Sequence, residues 1–188
     1  MPSARTYGFV LALFRLAVGL FWLSHGIVKF THPELFMPPT GIFGTVVTSG
    51  LAATHGIYHN FLATIVAPNL GIFAELVRLG EVVAGALLVL GFFTRLGGLI
   101  GVFLALNYIL VKHHLGSVDG WSSLDGAALL MSAVNLVLPT GRVFGIDWLL
   151  ARLRRAPAVA VAPSSPSAPV TAEFVEEAPL AGPTAPRD

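Results

Sequence analysis

The chain has 188 residues, of which 55% are hydrophobic and only 11% charged, with a mean hydropathy of +0.79 and a formal net charge of +1. Soluble domains carry about 25% charged residues, so this composition cannot cover a soluble surface and points to a membrane protein. The absence of cysteine excludes disulfides, thiol redox chemistry, iron–sulfur clusters and thiolate metal sites, and nothing in the charge pattern resembles a nucleic-acid footprint.

A spanning helix needs roughly 20 mostly apolar residues. The first run that meets this is 7–29, interrupted only by Arg15 and the Ser24–His25 pair. Arg15 falls where a signal peptide has its uncharged stretch, and no small-residue cleavage site follows Leu23, so an uncleaved helix is expected. The segment 31–69 contains no Lys or Arg, and its apolar pieces, 42–53 and 61–67, are too short to span. An outer cap, interfacial or re-entrant, is expected there. The second span is 70–93, and its only ionisable residues are Glu75, Arg78 and Glu81. A tight turn at Thr94–Arg95 leads to a third span ending at residue 112, and Trp121 anchors a fourth over 122–138 that Pro139 stops.

Residues 1–139 therefore read as an all-α, polytopic membrane four-helix bundle. In 140–155, Phe144, Trp148, Leu149 and Leu153 stand against Arg152, Arg154 and Arg155, the pattern of an amphipathic helix lying on the inner leaflet. Residues 156–188 are dominated by Ala, Pro, Ser, Val and Glu, a composition expected to be disordered. Arg5, Arg95, Arg142 and the arginines after it place both termini on the cytoplasmic side of a bacterial-type plasma membrane. Lys112 is the one dissenter.

The charges inside the spans carry the functional question. On the first helix Arg15, Gly19, Trp22, Gly26 and Lys29 lie within roughly 80° of one another, with His25 at the edge of that face. On the second, Arg78 stands three residues from both Glu75 and Glu81 and can pair with either. Asn107, Lys112 and His113 approach the same outer half from the third helix. A charge facing lipid at mid-membrane costs about 2.5–3.5 kcal/mol, so these groups are expected to face one another, with Arg15 paired to Glu81. Two readings stay open: ties that fix helix register, or a ligand or proton site. His25 with His113 as haem ligands, or His32, His55 and His59 as a metal site, rest on no tight spacing, and no metal is expected.

The stretches RLAVGLFWLSHGIVKF (15–30) and LVRLGEVVAGALLVLGFFTRLGGLIG (76–101) resemble the DoxX-like membrane proteins. The matching landmarks are Arg15, His25, Gly26, Lys29, Gly80, Glu81, Gly91, Thr94 and Arg95, and the resemblance covers about residues 8–138. The segment VAPNLGIFAELV (66–77) is similar to the branch containing the thiosulfate:quinone oxidoreductase membrane subunit. The resemblance implies a four-helix membrane bundle, in some relatives linked to quinone-dependent oxidation of sulfur compounds and in others to redox stress. On that basis Glu81 and His25 would move protons. Arg15, Trp22, Lys29, Glu75, Arg78 and Asn107 would hold a quinone or a small sulfur oxyanion. Partner redox proteins or a homo-oligomer would complete the unit in the lipid bilayer. The competing functions are a non-catalytic assembly or chaperone-like subunit and, more weakly, a small transporter.

Overall fold

The computed structural model describes residues 4–112, 121–138, 140–142 and 145–154. His113 and the tail from residue 156 lie outside the described residues, as do the side chains of Arg142, Trp148 and Arg154. Every regular element among the described residues is helical. In chain order they are α1 (Ala4–Thr31), α2 (Pro33–Phe36), α3 (Ile42–Ala53), α4 (Gly56–Phe61), α5 (Leu70–Leu90), α6 (Thr94–Val111), α7 (Leu124–Val137) and α8 (Ile146–Arg154). A π turn (Leu62–Val66) and a 3-10 turn (Ala67–Asn69) run from α4 into α5. A second 3-10 turn, Thr140–Arg142, follows α7.

The local boundaries follow from ordinary capping chemistry. Pro33 opens α2, where its missing N–H is no loss. Ser123 caps α7 by accepting a hydrogen bond from the Gly126 amide at 3.2 Å. The connection between α5 and α6 differs from the expected Thr94–Arg95 turn. Gly91 adopts φ 65°, and the amides of Gly91 and Phe92 donate to the carbonyls of Leu88 and Leu87 at 3.2 and 3.0 Å. This is the Schellman arrangement, which needs a residue free to take the left-handed conformation. Glycine supplies it three residues before Thr94, and Thr94 already belongs to α6.

Among the described residues, two helices are long and apolar enough to cross a membrane, over Thr6–Thr31 and Thr94–Val111. α5 is 21 residues long but carries Glu75, Arg78 and Glu81, and α7 has 14 residues. Large apolar side chains such as Phe9, Val10 and Leu13 on α1, Leu76 and Leu79 on α5, and Leu99 and Phe103 on α6 are exposed. So extensive an apolar surface suits lipid rather than water.

Two apolar cores organise the interior. The first joins Val18 and Trp22 of α1, Ala84 and Leu88 of α5, Leu104 and Ala105 of α6, and Ala128 of α7. The second joins Phe36, Phe43 and Val47 to Leu62, Val66, Ala74 of α5 and Val111 of α6. α1 and α5 run antiparallel at very short range. A Cβ on Gly26 would lie 2.8 Å from the Val82 amide nitrogen, and one on Gly85 would lie 2.4 Å from that of Leu23. Small residues at these positions let the two backbones meet. The register they set places Leu23 against Gly85 and Gly26 against Val82, so Phe73 and Ala74 of α5 lie beyond the end of α1. Those residues pack into the second core instead.

Candidate functional site

Where α1 and α5 touch at Gly26, the next turn of α1 presents Lys29 to α5. Its Nζ lies 2.5 Å from Glu81 Oε1, in an ion pair whose carboxylate side chain is 1% exposed. α6 completes the cluster. The Tyr108 hydroxyl donates to the same Oε1 at 2.5 Å, and the Lys29 ammonium donates to the Tyr108 oxygen at 2.8 Å. The Phe36 ring, from the helix that follows α1, lies 4.5 Å from Nζ, within range of cation–π attraction.

The proton inventory of this triangle is nearly closed. Tyrosine has one hydroxyl proton, and Tyr108 gives it to Glu81 while its oxygen accepts from Lys29. Lysine has three donors; two are directed at Glu81 and Tyr108, and the ammonium rests over Phe36. Both donors to the carboxylate converge on Oε1. Glu81 Oε2 is buried and has no hydrogen-bond partner among the described residues. Leaving such an oxygen unsatisfied costs about 1–3 kcal/mol or more, so Oε2 is placed to accept from a ligand or an ordered water.

A second ion pair lies close by. Lys112 Nζ is 2.5 Å from Asp125 Oδ2 at the start of α7, and it stands 5.6 Å from the Tyr108 ring centroid. Tyr108 therefore sits between two ammonium groups, Lys29 inward and Lys112 toward the α6 terminus.

The remaining expected residues go elsewhere. Arg15 does not reach Glu81. It is buried, and its Nη1 donates to the Thr140 carbonyl at 3.0 Å, beside Gly91 at the end of α5. The reason is register: the 14 residues from Arg15 to Lys29 span about 21 Å of helix, and the α1–α5 contacts place only the Lys29 end against Glu81. Carbonyl-rich helix ends also favour a cation there.

His25 is exposed, its Nδ1 is 2.9 Å from the Phe21 carbonyl oxygen, and its ring packs on Phe21 at 4.4 Å. Both of these contacts lie within α1 and neither is with the Lys29–Glu81–Tyr108 cluster. Trp22 is a core residue, donating from Nε1 to Ser132 Oγ at 3.0 Å and so tying α1 to α7. Glu75 and Arg78 pair within α5, Nε to Oε2 at 2.6 Å with a second bond from Nη2 to Oε1. Arg78 stacks 4.3 Å from the Phe30 ring, and Glu75 is half exposed. Asn107 donates to the Phe103 carbonyl at 2.8 Å, and the Tyr58 hydroxyl reaches its two oxygens at 3.3 and 3.4 Å. Burial pushes the Tyr58 phenol up to about 12.

Of the expected site residues, the structure thus brings together Lys29 and Glu81. Tyr108 and Asp125 were missed. The signal for Tyr108 was its place one turn before Lys112, on the face of the third helix that carries the polar groups. Among the described residues, no group of three or more His, Asp or Glu side chains is arranged to hold a metal ion.

The chain was compared with curated proteins and with solved structures, and neither comparison gave a significant match. A family model did match, over residues 9–160, and it is described as the TQO small subunit DoxD. The chain therefore belongs to the DoxD family of DoxX-like membrane proteins.

Proposed function

We propose that this chain is the membrane subunit of a quinone-linked oxidoreductase for a small sulfur compound, such as thiosulfate, and that Glu81 is its proton-exchanging group. The observation that carries the reading is Glu81 Oε2, a buried carboxylate oxygen with no partner among the described residues, beside a carboxylate oxygen that already accepts two hydrogen bonds. A quinone taking up two electrons also takes up two protons, and a carboxyl group held in an apolar site is suited to pass them.

The donor set fits a neutral headgroup better than an anion. Lys29 and Glu81 cancel each other's charge, so an oxyanion would meet a buried carboxylate oxygen rather than a free cation. The oxidation of the sulfur compound therefore belongs to a partner protein, in keeping with a family described as a small subunit. Lys29 holds Glu81 in place and offsets its charge, Tyr108 fixes the orientation of Oε1, and the apolar side chains around them keep water out.

In this reading α1, α5, α6 and α7 are four spans of a bundle in the plasma membrane, with residues 31–69 as an outer cap. Both termini are cytoplasmic, because Arg5, Arg95 and the basic residues after α7 share one side. α8 lies on the inner leaflet with Arg152 toward the headgroups.

The test is sulfur-compound-dependent quinone reduction in membranes containing equal amounts of wild-type and Glu81→Gln protein. Loss of a single proton-transfer group is expected to lower the rate about 100-fold or more. An unchanged rate at equal protein level would remove Glu81 from the reaction.

A further inference from the structure

We infer that the resting site prefers the reduced, hydroxyl-bearing form of its quinone over the oxidised form, so that the product of quinone reduction holds the site back. This rests on the proposed reading of the cluster as a quinone site, and it follows from the direction of each hydrogen bond. The only hydroxyl proton of Tyr108 is already given to Glu81 Oε1. Lys29 directs its ammonium at Oε1 and at the Tyr108 oxygen, with Phe36 over it. The position left open is Glu81 Oε2. In an ionised carboxylate paired to an ammonium, that oxygen can only accept.

A hydroquinone offers an O–H, which Oε2 accepts. A quinone offers only carbonyl oxygens, which are acceptors and cannot satisfy it; they must instead draw Lys29 or Tyr108 away from Glu81. A site that pairs a buried acceptor with a hydroxyl discriminates strongly against the analogue lacking it, because the polar group is otherwise left unpaired. Charge-assisted bonds of this type are the stronger class.

The test is calorimetric titration of the purified full-length protein in detergent, under anaerobic conditions, with a short-chain benzoquinone and with its hydroquinone. Empty micelles correct for partition. At neutral pH the hydroquinone is expected to bind at least about tenfold more tightly. Glu81→Gln is expected to bring the two affinities within about twofold, since its amide can both donate and accept.

Equal affinities in the wild-type protein, or tighter binding of the quinone, would overturn the inference while leaving a quinone site standing. A preference that survives Glu81→Gln would overturn its assignment to Oε2. If neither form binds above the micelle background, the quinone reading itself falls. The wild-type comparison decides the inference even if Glu81→Gln does not fold.

Discussion

Lys29 Nζ stands 2.5 Å from Glu81 Oε1, which makes one ion pair the link between α1 and α5 at the level where Tyr108 enters from α6. Breaking such a pair by removing one partner leaves a buried charge and costs about 3–5 kcal/mol, whereas replacing both with apolar groups of similar size is often neutral. Lys29→Met and Glu81→Leu are therefore each expected to destabilise strongly, and the double variant less than either alone. Unfolding in mixed micelles, followed by circular dichroism, measures all three. Additive losses would mean that the two side chains are not coupled.

The same pair shows where sequence reasoning stopped. Helical class, membrane character and family were legible, because each rests on long apolar runs and on landmarks such as Gly80–Glu81. The Glu75–Arg78 pair was legible only in part, since a spacing of three along one helix allowed Arg78 to pair with Glu75 or with Glu81. The Arg15–Glu81 pairing failed because apolar runs do not give the register of one helix against another. Phe73 and Ala74 pack with Phe36, Phe43 and Val47, so the opening of α5 belongs with residues 31–69 and not beside α1. With that opening set beyond α1, Glu81 stands level with Lys29 and not with Arg15. Small residues carried the true register: Gly26 and Gly85 mark the contact points, and Lys29 follows Gly26 by one turn.

Three glycines of this region should respond differently to alanine. A Cβ on Gly26 or Gly85 would come within 2.8 or 2.4 Å of backbone atoms on the facing helix, and forcing atoms into packed space costs about 1–3 kcal/mol. At Gly80 the nearest atom is Leu104 Cδ1 at 3.5 Å, an ordinary contact. Gly80→Ala is expected to be neutral, or to gain up to about 1 kcal/mol from helix propensity. Thermal unfolding in one detergent ranks the three. Equal losses at Gly80 and Gly85 would contradict the α1–α5 geometry.

Orientation can be read directly, because the chain has no cysteine of its own. Thr45 on α3 and Arg95 on α6 are both exposed, and the cap reading with its absence of Lys and Arg sets them on opposite sides. Thr45→Cys is expected to react with an impermeant maleimide in intact cells, and Arg95→Cys only after lysis. The reverse pattern would invert the proposed topology.

Arg15 offers the sharpest separation of structure from function. It is as buried as Glu81, and both match the family landmarks, yet its Nη1 donates to the Thr140 carbonyl. Thr140 in turn donates to Asn135 Oδ1 at 3.0 Å, and Asn135 to the Met131 carbonyl at 3.0 Å, so the arginine steadies the end of α7 against α1. A hydrogen bond to a charged group contributes about 1.5–3 kcal/mol, and Lys lacks the planar fork of donors that Arg15 brings to this site. Arg15→Lys and Arg15→Met are both expected to lower the unfolding midpoint while leaving hydroquinone affinity of the folded fraction within about twofold of wild type. Glu81→Gln is expected to do the opposite to affinity. Loss of hydroquinone binding in a well-folded Arg15→Lys protein would place the arginine in the site and show that the polar groups of α1 act as one unit.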